Sequence, residues 1–228
     1  MTTVSYKEFW SVKKMKKMKR LNRKGVTLIE LLVALVITGM VAAGIYQVFI
    51  AQSKAYTVQD QVTEVQQSVR SAMEILLRDL RMAGYDNDNP LSTITINSPI
   101  ANLSDNAITV NYEYYDKTLA QYQKHTVVYW RDGGSSSLIR QLTVNDVATP
   151  QETLLDNVEN LNFTYGVDTN EDGALDNWVA AGAIGISKVV AVRAALTARP
   201  VQINPDQKMI SPRTLVSNVT LRNLCMIK

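Results

Sequence analysis

A charge-free apolar run near the N-terminus constrains the fold of this chain more than any other feature. Residues 31–53 contain no Asp, Glu, Lys or Arg, and a dense basic run precedes them. A helix of about 20 apolar residues, rising about 1.5 Å per residue, spans the ~30 Å hydrocarbon core of a bilayer. We therefore predict a transmembrane helix that begins near Val26 and carries one carboxylate, Glu30, at its start.

Glu30 requires a partner or an aqueous position. An ionised side chain within the bilayer costs about 2.5 kcal/mol or more. Two opposite charges about 4 Å apart attract far more strongly in a poorly polarisable setting than in water, so a nearby cation would offset this cost. The alternative is an interfacial glutamate that reaches the headgroups beside the basic run.

The charge distribution separates the N-terminal segment from the rest of the chain. Nine of the 24 basic residues but only one of the 21 acidic residues precede Gly25, so 15 basic and 20 acidic residues follow it, a net charge of −5. This acidic body lacks the clustered Lys and Arg that phosphate binding needs, which argues against a nucleic-acid partner. The basic run itself is either a nucleic-acid arm or, because it adjoins the apolar span, a topology signal that keeps the N-terminus in the cytoplasm.

Beyond the apolar run, an amphipathic pattern predicts that the helix continues. Apolar residues recur at steps of three and four, which is the signature of a helix with one buried stripe. No proline occurs between Val26 and Asn89, so one helix is expected to run to about Met82, with Gly84 as its C-cap. The stripe comprises Val58, Val62, Val65, Val69, Met73, Leu76 and Leu80.

The remaining chain has the pattern of short strands. Segments rich in Ile, Val, Thr and Tyr predict strands, and Asp132-Gly133-Gly134-Ser135 predicts the turn of a hairpin that joins residues 126–130 to 138–142. The predicted fold class is α+β: a long N-terminal helix, half transmembrane and half amphipathic, packed on an antiparallel β-sheet domain. Predicted strands are residues 93–96, 107–115, 125–130, 137–143, 160–165, 189–197 and 215–221.

An acidic loop after the fifth of these strands predicts a calcium site. Oxygen ligands at alternate positions, followed by a glycine at the sixth, match the first part of an EF-hand loop. Position twelve, where a bidentate acid belongs, is Val179, so we expect weak binding. The alternative is an Asx-rich turn without metal. The predicted ligands are Asp168, Asn170 and Asp172, the carbonyl of Ala174, and Asp176 directly or through water.

The composition argues against an enzyme. His125 is the single histidine and Cys225 the single cysteine, so His-rich metal sites and internal disulfides are excluded. No arrangement in the sequence pairs a nucleophile with a base or builds a closed catalytic metal site. We therefore expect no catalytic residues and no cofactor other than calcium.

The residues at both ends of the predicted helix resemble those of type IV prepilins. Arg23-Lys24-Gly25-Val26 through Leu32 is similar to the prepilin processing signal, and residues 77–85 look like the helix end of PilW-like minor pilins. The resemblance implies cleavage after Gly25 by a prepilin peptidase, methylation of the Val26 amine, and pairing of Glu30 with that amine during assembly. It also implies four segments: a removed leader 1–25, a transmembrane and filament-core helix 26–53, an amphipathic helix 54–84, and a β-rich head 85–228.

By this resemblance the chain is a minor pilin that helps to initiate pilus assembly near the tip. The implied partners are the prepilin peptidase, other major and minor pilins, the inner-membrane assembly machinery and the membrane itself. The precursor would lie in the inner membrane and the mature protein in the pilus at the cell surface. Two alternatives stay open: a GspJ-like type II secretion pseudopilin, and a single-pass anchored binding or sensor protein that never polymerises.

Overall fold

The computed structural model describes residues 25–86, 92–185, 188–201 and 210–225, the last without its side chain. The chain divides into two compact units, residues 1–52 and residues 53–228, which we call the N-terminal unit and the C-terminal unit. The leader predicted at 1–25 lies outside the described residues except for Gly25.

Helix α1 comprises Leu28–Met82, in agreement with the predicted helix. Within the N-terminal unit its apolar side chains are exposed, because no other described element of that unit covers them. The helix ends where predicted: Gly84 adopts a left-handed φ of 71°, and the amide of Tyr85 donates to the carbonyl of Met82. Such a φ favours glycine, because a side chain at that position is strained.

The first sheet of the C-terminal unit consists of six antiparallel strands. These are β1 (Ile100–Ala101), β2 (Ala107–Asp116), β3 (Gln121–Asp132), β4 (Ser137–Val144), β5 (Val147–Ala148) and β6 (Glu152–Leu155). Their order is β1-β2-β3-β4-β5, and β6 also pairs with β4. The predicted hairpin is confirmed: Trp130 pairs with Ile139, and Asp132 caps the turn by accepting from the amide of Ser135 at 2.7 Å.

The second sheet has four antiparallel strands in the order β10-β9-β7-β8. Its strands are β7 (Val158–Asp168), β8 (Asn177–Val179), β9 (Lys188–Ala198) and β10 (Arg213–Thr220), and a short helix α2 (Arg222–Cys225) follows. The prediction of a single sheet was therefore incomplete. Alternating patterns predict strands, but which strands pair depends on contacts between residues distant in sequence.

The core of the C-terminal unit lies between the last turns of α1 and the inner faces of both sheets. The predicted stripe is buried from Val69 onward, whereas Val58, Val62 and Val65 are only half-buried. The predicted strand at 93–96 was wrong, because these residues are irregular in the structure. The short strands β1, β5, β6 and β8 were not predicted, since two to four residues carry too little periodicity.

Candidate functional site

The start of α1 is a capping box built from Thr27 and Glu30. The Thr27 hydroxyl oxygen accepts from the amide of Glu30 at 3.3 Å. In return, the Glu30 carboxylate accepts from the amide and the hydroxyl of Thr27, each at 3.1 Å. This reciprocal pair satisfies amide groups that have no partner within the helix. The helix consequently begins at Leu28 and not at Val26, and the pattern Thr-x-x-Glu before an apolar run was the signal that our sequence reasoning missed.

The residues predicted for processing lie immediately before this cap. Gly25 and Val26 are exposed, and a Cβ atom built on Gly25 would have no neighbour within 4 Å. Val26 is still joined to Gly25, so its nitrogen belongs to a peptide bond and carries no charge. Pairing between Glu30 and a processed amine therefore stays a prediction, but the cap places the carboxylate one residue away from the nitrogen that cleavage would release.

The surface that follows Glu30 is apolar and uncovered. The most hydrophobic 18-residue window of α1 has a mean hydropathy of 2.4, and none of it is buried within the protein. Leu35, Ile45 and Phe49 each expose more than 60% of their accessible surface. So large an apolar surface is unfavourable in water, and its length and composition suit a bilayer or a sheath of neighbouring helices.

The predicted calcium loop forms a turn held by its own hydrogen bonds. Asp168 is buried and accepts from the amides of Asn170 at 3.2 Å and Gly173 at 2.7 Å. Asn170 and Asp172 each accept from the amide two residues further along. Gly173 has a left-handed φ of 82°, so the sharp turn predicted for the sixth position is present.

The far end of this loop is fixed by different contacts. Asp176 accepts from the amide of Thr169 at 2.8 Å and from its hydroxyl at 2.5 Å, and these bonds lower the pKa of Asp176. The side chain of Leu175 lies over Gly166, where an added Cβ atom would approach Leu175 Cδ1 to 2.5 Å. Glycine at this strand position therefore allows the loop to lie close to the second sheet.

The hydrogen bonds within the loop use the carboxylates that were predicted to bind calcium. Within the described ranges, no group of three or more His, Cys, Asp or Glu side chains is arranged to hold a metal ion. The carboxylates of Asp168, Asp172 and Asp176 instead accept hydrogen bonds from the loop itself. Val179, at the twelfth position, pairs with Tyr165 in the second sheet and offers no carboxylate. The loop contains the oxygen atoms that calcium prefers, but these atoms do not converge on one point. The calcium site therefore stays a prediction.

A buried ionic cluster joins α1 to the first sheet, and sequence reasoning did not find it. Asp79, which is 3% exposed, accepts from the Tyr129 hydroxyl at 2.6 Å and from Arg140 Nε and Nη2 at 3.0 Å. Arg140 also contacts Glu152 at 3.3 Å. Burial and then the Asp79 carboxylate raise the pKa of Tyr129. Asp79 lies 50 residues from Tyr129 and 61 from Arg140, so no local pattern indicated the contact.

Two parts of the sequence match models of known protein families. Residues 20–46 match the family model of the prokaryotic N-terminal methylation motif, and residues 127–222 match that of the Type IV Pilus-assembly protein W. Over these two ranges the chain is similar to type IV pilins and their assembly proteins. The first match covers the cap and most of the apolar half of α1, and the second runs from within β3 to the first residue of α2.

A solved structure is also similar to this chain. It is a type IV-like pilin from Thermus thermophilus, with 12% sequence identity and a TM-score of 0.44, and the alignment covers 70% of this chain and 97% of the other. No curated protein matches the sequence.

The two family matches point to the same class of protein. Pilin-like proteins with this domain are structural and not enzymatic, as the sequence predicted. The methylation motif implies processing by a prepilin peptidase and assembly with other pilins. The exposed apolar half of α1 fits a membrane-anchored precursor and a mature protein at the pilus surface.

Proposed function

We propose that this protein is a minor pilin that helps to initiate pilus assembly near the tip. Cleavage after Gly25 releases the amine of Val26, which is methylated, and the Glu30 carboxylate pairs with that amine when the helix enters the filament. The single observation that supports this proposal best is the capped start of α1. There the Glu30 carboxylate accepts from the amide of Thr27, close to the predicted cleavage position and ahead of an uncovered apolar surface.

The exposed apolar surface of α1 also provides the free energy that favours assembly. A helix whose apolar side chains are exposed in the isolated protein is stable only in lipid or among other apolar helices. The N-terminal basic run keeps the leader in the cytoplasm, so the C-terminal unit is carried across the inner membrane. The inner-membrane assembly machinery then transfers the processed subunit from the bilayer to the base of the filament.

Mass spectrometry of sheared surface filaments tests this proposal. We expect a methylated N-terminal peptide that starts at Val26, at an abundance well below that of the major subunit. Gly25→Ala should prevent cleavage without disturbing the fold, because a Cβ atom there meets nothing within 4 Å. Gly133→Ala, which also meets nothing within 4 Å, is the matched control and should be processed normally.

Other outcomes identify the alternatives. Loss of protein secretion with intact pili in a strain lacking this gene would indicate a type II secretion pseudopilin. Recovery of only the uncleaved chain in the inner membrane, in a strain with working peptidase, would indicate an anchored binding or sensor protein. Either result would overturn the role in pilus initiation.

A further inference from the structure

A groove in the C-terminal unit lies between α1 and the strand β6, and neither cleavage nor helix assembly accounts for it. The cavity has a volume of about 330 Å³. Gln61, Glu64 and Ser68 of α1 line one side, and residues 153–157 line the other. The lining is therefore formed by two turns of a helix and by a strand with the turn that follows it.

Gln61 is the unusual member of this lining. It is one of two polar residues, with Asp79, among the buried positions of α1 in the described chain, and it is only 6% exposed. Among the residues that the structure describes, neither Oε1 nor Nε2 of Gln61 has a hydrogen-bond partner. A buried amide without a partner is unfavourable, so a group that pairs with it on binding would be favoured.

The opposite side of the groove is the edge of a sheet. Among the described strands, β6 pairs only with β4, so its second edge has no strand neighbour. An unpaired edge presents main-chain N–H and C=O groups that can accept a further strand. Extended peptides bind to such edges through main-chain hydrogen bonds, while neighbouring pockets select side chains.

We propose that this groove binds an extended peptide segment of a partner protein, which adds to the free edge of β6 while one of its peptide groups pairs with Gln61. The glutamine amide provides both a donor and an acceptor, which matches the C=O and N–H of a peptide unit. From Gln61 to Ser68 the helix rises about 10 Å, the length of about three extended residues. Leu154 and Val65 provide a half-buried apolar contact for one side chain.

The charges around the groove favour a basic segment. Glu64 and Asp156 both belong to the lining, and both are exposed. Arg199, the basic residue of the lining, forms an ion pair with Glu159 at 2.5 Å, which offsets its charge. A lysine or arginine in the bound segment would therefore be attracted to the two carboxylates.

The proposal is tested with a phage-displayed library of random nonapeptides, selected against the full chain in detergent micelles. Synthetic versions of the selected peptides are then measured by fluorescence anisotropy. We expect Gln61→Leu to weaken their binding about tenfold or more, because the peptide group loses its partner. Gln66→Leu is the matched control: Gln66 is an exposed glutamine of the same helix, and its replacement should leave affinity unchanged.

Two further measurements separate strand addition from other modes of binding. N-methylation of successive peptide nitrogens should abolish binding only at alternate positions, because alternate N–H groups face the sheet edge. Thr153→Trp, at an exposed position of β6, should block the groove without disturbing the core. Because Gln61→Leu removes an unpaired buried amide, its melting temperature should equal or exceed that of the wild type.

Several results would overturn the proposal. These are the absence of selected peptides, equal affinity for the wild type and Gln61→Leu, or affinity that Thr153→Trp and N-methylation leave unchanged. Concentration-dependent self-association that Gln61→Leu removes would identify a second copy of this chain as the occupant and would also contradict the proposal. Peptide binding requires neither cleavage nor filaments, so the failure of one proposal leaves the other intact.

Discussion

At the scale of single residues, Glu30 has one role that the structure shows and one that we propose. Its carboxylate caps the helix through Thr27, and the same carboxylate is the charge proposed to pair with the processed amine. The two roles differ in what they require. Capping needs an acceptor, which glutamine also provides, whereas pairing with an amine needs the negative charge.

Glu30→Gln therefore separates charge from capping. We expect Glu30→Gln and Glu30→Ala to insert into the membrane normally but to be absent from sheared filaments, because both lack the charge. Thr27→Ala retains the charge and loses only the cap, at a cost of about 1 kcal/mol, so it should still assemble at reduced efficiency. Quantitative immunoblots of the membrane and filament fractions provide the measurement. Normal incorporation of Glu30→Gln would show that capping alone is needed.

Asp79 is a second residue whose environment determines its role. It is buried with the Arg140 guanidinium and the Tyr129 hydroxyl, so its removal takes a charged acceptor from both and leaves Glu152, which is exposed, as the carboxylate paired with Arg140. We expect Asp79→Ala to lower the free energy of unfolding by about 1–3 kcal/mol. Asp60→Ala, at an exposed position of the same helix, should change it by less than about 0.5 kcal/mol. Urea denaturation of both variants in detergent checks this, and equal effects would contradict it.

At the scale of secondary-structure elements, the contact between α1 and the first sheet should weaken in alkali. Burial raises the pKa of Tyr112 to about 12, with a further contribution from Asp79, and burial also raises the pKa of Tyr129. In the unfolded chain both tyrosines titrate near pH 10. Because the folded state holds the neutral phenols, their contribution to stability is complete below about pH 10 and is lost as the pH rises toward 12.

This dependence gives a measurable slope. Above pH 10 the free energy of unfolding should fall by up to about 1.4 kcal/mol per pH unit for each such tyrosine. Tyr129→Phe should reduce the slope, whereas Tyr56→Phe, at an exposed position of α1, should not. Urea denaturation at pH 8, 10 and 11 gives the free energy of unfolding of the wild type and of both variants. The slope with pH is then compared among the three proteins. Equal slopes in all three would exclude a role for the buried phenol.

The loop between β7 and β8 is the second element with a testable property. Its oxygen atoms are of the type that calcium prefers, but its twelfth position, Val179, offers no carboxylate, so affinity in the millimolar range is expected. Calcium should raise the melting temperature and change the fluorescence of Trp178 in β8. Asp172→Asn should remove both effects, because asparagine keeps an acceptor for the amide of Ala174 but loses the charge.

The control for this titration is a carboxylate outside the loop. Asp146→Asn, in the exposed turn between β4 and β5, should leave the response to calcium unchanged. Magnesium at the same concentration should have little effect, because it requires closer octahedral geometry. An identical response of the wild type and Asp172→Asn would establish the loop as a metal-free Asx turn.

At the scale of the whole molecule, the two units have opposite relations to water. The N-terminal unit exposes a continuous apolar surface, whereas the C-terminal unit buries its apolar side chains in one core. We expect residues 53–228 to purify without detergent and to unfold cooperatively, and the full chain to require detergent or lipid. Analytical ultracentrifugation and circular dichroism measure these properties. Aggregation of the 53–228 fragment would show that its core depends on the N-terminal unit.

The features that sequence alone determined are local. The absence of charge over residues 31–53 specifies an apolar helix, the spacing of three and four residues specifies its amphipathic continuation, and alternation specifies the longer strands. Each follows from a composition or a periodicity carried by consecutive residues. The capping box is local in the same way, because Thr27 and Glu30 are three residues apart, although we did not predict it.

Tertiary structure alone decided which distant residues meet. Three features depend on segments that lie tens of residues apart. They are the division into two sheets, the burial of Asp79 beside Arg140, and the position of Gln61 in a groove. Such contacts depend on how whole elements pack, and the same local pattern is compatible with several packings. The sequence therefore determined an apolar helix with a β-rich domain, and only the folded structure decided where its buried polar groups would find partners.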